Sequence, residues 1–399
     1  MSGQQIKLTD EQQRMLDGTA GEVAQRLMRL LVRLGQVYGA DRMVQISSAQ
    51  ISGVSYKSIG DPGLDFLEDV ARKGARVQVQ TTLNPAGMDL EDWRSLGFPA
   101  DFAERQQRII AAFESMGVVP TATCTPYLAG NRPGRGDHIA WAESSAVSFA
   151  NSVLGAYTNR EGGPSALAAA VCGCTPLHGL HLLENRRPTI RIAVEVELGS
   201  RADFGALGIH VGRLVRDGIP YFTGLRAHVD QLKALGAAMA ASGAVALYHV
   251  EGLTPEADQH EVDTVPTLTV TREEIDEAYR RLNTGGRPDL VCLGCPHASL
   301  DEIAEVADRL QGRRVSTPLW VCTSRAVRNS AAELGLVEVI EQAGGRVVAD
   351  TCMVVAPMER MGVGTTAVDS GKAAHYLPGM CQQQVVFSDW NTLLEEVLS

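Results

Sequence analysis

The 399-residue chain has no uninterrupted apolar stretch near the roughly 18 residues that a membrane span requires, which excludes a transmembrane helix. Runs of Lys and Arg are also missing. The 36 basic residues are outnumbered by 47 acidic ones, the net charge is -11, and a nucleic-acid or anionic-membrane partner is disfavoured. Met1-Ser2-Gly3-Gln4-Gln5 has neither the basic n-region nor the apolar h-region of a secretory signal, so the expected location is the cytoplasm. Thiols stay reduced there, and the eight cysteines read as core thiols, metal ligands or nucleophiles rather than a disulfide framework.

Several motifs are absent or incomplete. The single C-x-x-C (Cys292, Cys295) and the single C-x-C (Cys172, Cys174) lack the second pair of a zinc ribbon or finger. There is no G-x-S-x-G and no H-E-x-x-H, which weakens hydrolase and zinc-protease readings. Gly362-x-Gly364-x-x-Ala367 imitates a dinucleotide fingerprint without the following helix signal or the acidic residue at the right distance. Ser370-Gly371-Lys372-Ala373 ends like a phosphate loop, but no glycine stands at the required spacing before it and Ala373 replaces the metal-binding hydroxyl residue.

What is present is a βαβ rhythm. Length alone suggests two or three domains of about 150 residues and a large core. Apolar residues at helical spacing predict helices over 8–16 and 21–38, and a strand at 43–47 leads into the small polar segment 52–57. A helix over 63–73, a strand at 76–80 ending in 81–85, a helix over 101–116 and a strand at 118–124 follow. The middle reads as helices over 138–157 and 164–171 around a glycine-bearing loop, then strands at 189–198 and 244–249 separated by helices over 205–215 and 229–241. Further on, Asp289-Leu290-Val291-Cys292-Leu293 runs into Gly294-Cys295-Pro296-His297, and Ser299 and Glu302 have capping-box spacing for a helix over 300–310. The strands at 318–322 and 345–352 likewise end at a cysteine. In open α/β sheets such strand-to-helix turns bind ligands. Thiolates hold iron-sulfur clusters, and Cys124, Cys295, Cys322 and Cys352 are therefore candidate ligands, each with the alternative of a small buried hydrophobe. Soft boundaries near 190 and 285 give α/β regions 1–189 (with the helical lead-in), 190–284 and 285–399, sharing interfaces.

Four motifs together resemble the catalytic large part of aconitase X: Ser52-Gly53-Val54-Ser55-Tyr56-Lys57, Asn159-Arg160-Glu161-Gly162-Gly163-Pro164-Ser165, Leu293-Gly294-Cys295-Pro296-His297 and Gly371-Lys372-Ala373-Ala374-His375-Tyr376. The resemblance covers nearly the whole chain. It implies an aconitase-like architecture, several α/β lobes with mostly parallel sheets around an iron-sulfur cluster, and hydro-lyase activity. The implied cluster ligands are Cys124, Cys295 and Cys352, for a cluster of 4Fe-4S or 2Fe-2S type. On this reading Cys322 becomes a core thiol, as do Cys172, Cys174, Cys292 and Cys381. The implied substrate-binding positions are Gly53, Val54, Ser55, Asn84, Pro85, Glu143, Ser144, Gly371 and Lys372. They suit the task, because glycines expose backbone N–H groups, Asn84 and the serines offer neutral hydrogen bonds, and Lys372 can pair with a carboxylate or phosphate. Lys57, outside that set, reads as a solvated side chain.

Dehydration needs a Lewis acid on the departing oxygen and a base at the carbon. Members of the family dehydrate cis-3-hydroxy-L-proline or mevalonate 5-phosphate. The glutamine-rich termini and the eight cysteines look unlike a heat-adapted protein and favour the first substrate, giving pyrroline-2-carboxylate; the alternative product is trans-anhydromevalonate 5-phosphate. A reading of another class is an iron-sulfur scaffold or a thiol enzyme using Cys295 and His297. The resemblance also implies that the catalytic base lies outside these residues, on a separate small subunit, because the matched large part extends to the last residues, 390–399. The functional unit is then at least a heterodimer acting on a small hydroxy acid.

Overall fold

The computed structural model describes residues 6–398, so the leader reading at Met1–Gln5 lies outside the described residues. Three lobes follow one another, each built on a parallel sheet. The first has the strand order Gln80–Leu83, Ser48–Ile51, Ala140–Trp141, with a small antiparallel pair, Met43–Gln45 and Cys174–Pro176, beside it. The second orders His249–Val250, Pro220–Thr223, Ile190–Val194 and Thr267–Val270. The third orders Gly345–Ala349, Leu319–Thr323, Leu290–Leu293, Thr365–Val368 and Gln384–Phe387. Its central strands Leu290–Leu293 and Leu319–Thr323 are buried at every position, as strands covered on both faces require, which is why their sequences read as unbroken apolar runs.

The helices bury single faces. Glu22–Tyr38 buries Leu27, Met28 and Leu31 in the first-lobe core, packing on the helix Gly163–Cys172 that covers the sheet, each such side chain contributing about 1.5–3 kcal/mol. Leu300–Leu310 starts at Ser299, whose hydroxyl accepts from the Glu302 N–H while the Glu302 carboxylate accepts from the Ser299 N–H, the capping box that the spacing predicts. Gly371–Cys381 packs against the second-lobe helices Arg201–Val215 and Val229–Gly243, so one apolar core runs from Phe204 and Phe222 through Leu377 to Cys295 and Cys352. Among the described residues no helix is long and apolar enough to cross a membrane.

Four expected elements differ. The strand forms at Gln80–Leu83 rather than over 76–80, because the Val77 and Gln78 N–H groups donate to Met116 and Ala170 at helix ends instead of to a neighbouring strand. Residues 118–124 run extended beside it, with N–H bonds from Val119 to Thr81 and Thr123 to Leu83, but Pro120 removes one donor and Ala122 turns to φ 42°, leaving a single bridge at Val119. Over 244–249 only His249–Val250 pairs. Ala244 caps the preceding helix, and the Ala246 carbonyl and Tyr248 N–H bond to Asn151 and Ser152 side chains. Residues 138–157 are not one helix: Ala140–Trp141 joins the sheet and Glu143 caps a short helix, Ser144–Phe149.

Candidate active site at facing strand ends

In the third lobe the chain leaves Leu290–Leu293 toward one side of the sheet and later returns on its other side as Thr365–Val368. That reversal opens a crevice at the carboxyl ends of the two strands. Cys295 follows the first strand, and Ser370, Gly371 and Lys372 follow the second. The first lobe repeats the arrangement about Ser48–Ile51. Gly53, Val54 and Ser55 follow that strand, Asn84 and Pro85 follow Gln80–Leu83, and Glu143 and Ser144 follow Ala140–Trp141. The two sets of strand ends face each other. Ser55 Oγ donates to the Val355 carbonyl at 2.9 Å, and the Ala86 N–H donates to the Asp350 carbonyl at 2.8 Å.

Across this seam Lys372 Nζ pairs with Glu143 Oε1 and donates to Ser145 Oγ at 3.1 Å, while Asn84 Nδ2 donates to Glu143 Oε2 at 2.9 Å. All are buried or nearly so. Burial alone would raise the Glu143 carboxyl, but the Lys372 ammonium and Ser145 outweigh it and hold the group at about 2. Burial acts to lower Lys372, and Glu143 together with the nearby Cys295 and Cys124 outweighs it, so the amine stays charged. Asn84 Oδ1 is buried without a hydrogen-bond partner, a buried acceptor left unsatisfied beside the Glu143–Lys372 pair. Gly53 has φ +75°, and Gly371 must be glycine because a Cβ there would lie 2.7 Å from the Gly205 carbonyl oxygen.

The three cysteines converge on the same place. Each sulfur is buried and senses another's charge: Cys124 that of Cys352, Cys295 that of Cys124, Cys352 that of Cys295. Burial pushes Cys124 and Cys295 up to about 12 against the pull of Lys372, and Cys352 well above the ordinary thiol range. A bound cation is therefore what would keep them ionised. Four ligands on one tetrahedral metal sit about 3.8 Å apart, yet these sulfurs do not form a set within 4.8 Å. Among the described residues the one such set is His249, Glu256 and His260 in the second lobe, where Glu256 is already neutralised by the buried Arg186 guanidinium. Three buried thiols are the donor type that holds iron-sulfur clusters. Cys322 instead lies within its strand, 3.8 Å from Cys292 Sγ, and is wholly buried.

Of the positions taken from the resemblance, the structure joins Asn84, Glu143 and Lys372 directly and sets Cys295 and Cys124 close enough to act on the Lys372 charge, while Gly53, Val54, Ser55, Pro85, Ser144 and Gly371 follow the same strand ends. Two readings change. Lys57 is not solvated, since its ammonium bonds the Ala356 carbonyl, Glu359 and Cys381 Sγ. The Cys295–His297 thiol reading has no geometric support: the His297 ring bonds Thr123 and Thr351, and burial lowers it to about 4. Residues missed from sequence are Ser145, which completes the Lys372 shell, and Ser370, whose hydroxyl reaches Cys295 and caps the following helix. Their signal was adjacency to Ser144 and Gly371.

Three family models match the chain, described as aconitase X first domain (residues 5–184), second domain (188–280) and third domain (288–399). The phosphomevalonate dehydratase large subunit of Methanothermobacter thermautotrophicus is 57% identical over 393 residues, covering 98% of this chain and 98% of that one. The cis-3-hydroxy-L-proline dehydratase of Pseudomonas aeruginosa is 40% identical, covering 94% of this chain and 67% of that one. Among solved structures, Thermococcus kodakaraensis aconitase X (holo-form) superposes with a TM-score of 0.93 at 44% identity, covering 98% of this chain and 100% of that one.

Proposed function

The chain belongs to the aconitase X family and is a hydro-lyase, and from that premise we propose that it is the large component of a phosphomevalonate dehydratase. The observation that carries this choice is the end-to-end likeness at 57% to a large subunit of that name, against 40% to a hydroxyproline dehydratase of which the chain spans 67%. The compositional preference for hydroxyproline is withdrawn. All eight cysteines are buried, so their number exposes no labile thiol and carries no information about substrate. The boundaries near 190 and 285 divide the chain into regions 1–189, 190–284 and 285–399, one for each parallel sheet.

Cys124, Cys295 and Cys352 would hold an iron-sulfur cluster; when bound, such a group supplies a Lewis acid for the departing hydroxyl. Lys372 and the N–H groups opening the helix Gly371–Cys381 bind the anionic end of the substrate. Glu143 and Ser145 keep the ammonium aimed, and Asn84 Oδ1 accepts from a substrate hydroxyl. None of these groups suits the proton abstraction. Glu143 at about 2 is too weak a base, Lys372 is fully protonated, and the His297 ring is occupied on both nitrogens. The base therefore comes from a separate small subunit docked over the facing strand ends.

The test is anaerobic turnover of the cluster-reconstituted chain, alone and co-expressed with the small subunit of a close relative, on both substrates. Mevalonate 5-phosphate should be consumed only with the small subunit. Full-rate turnover by the chain alone would refute the assignment of the base, and consumption of cis-3-hydroxy-L-proline but not mevalonate 5-phosphate would refute the substrate.

A further inference from the structure

His297 is fully buried and each of its polar atoms is committed to a segment that carries or anchors the cysteines. Its backbone N–H donates to Cys124 Sγ at 3.2 Å. Its Nε2 lies 3.0 Å from the Thr351 carbonyl, in the peptide bond that joins Thr351 to Cys352. A carbonyl can only accept, so Nε2 carries the proton and Nδ1 must accept, from Thr123 Oγ1 at 2.9 Å. With its own hydrogen so directed, Thr123 Oγ1 accepts from the Thr125 N–H at 3.1 Å and closes a turn around Cys124. The His297 carbonyl in turn accepts from Lys233 Nζ at 3.3 Å, and Lys233 is held by Glu302 and Asp230. His297 follows Cys295 by two residues, so one imidazole and its peptide tie all three cysteine segments and anchor them to the second lobe.

We propose that His297 is a positioning residue that sets the spacing of the three sulfurs and, through its N–H bond to Cys124 Sγ, tunes the group they share. The proposal rests on the cluster reading above. An ordinary core histidine would affect folding alone, whereas a residue acting through the ligands changes the properties of the bound cluster. Outer-shell partners of this kind typically alter metal affinity about 10- to 100-fold.

The test uses the full chain, reconstituted anaerobically, as wild type and as Thr123→Val, His297→Gln and His297→Ala. Measured are iron and sulfide per chain, the rate of iron release to excess chelator, and the electron paramagnetic resonance spectrum of the reduced cluster. Release about 10-fold faster and an altered spectrum are expected for Thr123→Val and His297→Ala. His297→Gln, which keeps a donor for the Thr351 carbonyl, should fall between them and wild type. Thr123→Val decides alone if His297→Ala does not fold. Wild-type release and an unchanged spectrum in Thr123→Val would overturn the proposal while leaving the cluster reading intact. A wild-type chain that takes up no iron would overturn both.

Discussion

Replacing Glu143 by Gln isolates the energetic heart of the seam. In the native chain the carboxylate is held at about 2 rather than its ordinary 4.5, because Lys372 and Ser145 overcome the effect of burial. A gap of about 2.5 pH units at about 1.36 kcal/mol each corresponds to about 3 kcal/mol. This agrees with the roughly 3–5 kcal/mol that removal of one partner of a buried ion pair costs, since the other charge is left uncompensated. The sign follows from the depressed carboxyl: its stabilisation is fully present above pH 4.5 and is lost as pH falls from 4.5 to 2. Lys372, raised above the ordinary lysine range, contributes at every pH below that range and loses its contribution only as pH rises beyond it. Glu143→Gln should therefore lower stability at neutral pH by about 3 kcal/mol and flatten the acid limb. The double variant Glu143→Gln/Lys372→Met leaves no orphan charge and should recover most of the loss. Urea unfolding of the iron-free chain between pH 2.5 and 7, followed by circular dichroism, measures both effects. Equal unfolding midpoints for wild type and Glu143→Gln, or a double variant no better than the single one, would show that the pair does not carry this energy.

Other outcomes follow from the same geometry. Serine at Cys124, Cys295 or Cys352 should abolish bound iron and activity together, while Cys322→Ser keeps the iron; iron per chain after anaerobic reconstitution decides it, and full occupancy in Cys124→Ser would remove that residue from the ligand set. Lys372→Met in the two-subunit enzyme removes charge-assisted bonds of about 1.5–3 kcal/mol, so substrate KM should rise roughly 10- to 100-fold, measured by initial rates. Gly294→Ala places a Cβ 2.1 Å from the Cys322 carbonyl oxygen at φ +87°, and soluble yield and iron content should both collapse.

Much of this was legible in the sequence, for physical reasons that differ by segment. Ser299 and Glu302 marked a helix start because a capping box is a local device, complete within four residues. The apolar run 290–293 was readable because a doubly covered strand admits little else. Segments 76–80 and 118–124 misled because alternation reports which side chains are buried and not where the backbone N–H groups go, and here they go to helix ends or to a single bridge. The site was legible only in part. Strand ends picked out cysteines, Cys322 among them, but cannot say which sulfurs approach one another, since Cys124 and Cys352 belong to different lobes. The fixed partners of Lys57 were hidden for the same reason: Ala356, Glu359 and Cys381 lie about 300 residues away along the chain.

The division of the cysteines between lobes has a mechanical meaning. Cys124 belongs to the first lobe, Cys295 and Cys352 to the third, and the hydrogen bonds Ser55–Val355 and Ala86–Asp350 run alongside. Anything gripped jointly by the three sulfurs is thus a cross-brace, and its occupancy is coupled to the cohesion of the two bodies it spans. A group present at a hundred times its dissociation constant adds about 2.7 kcal/mol to that cohesion. Removing such a group would slacken the joint as well as silence the chemistry, so a protease should nick the chain faster once the group is stripped.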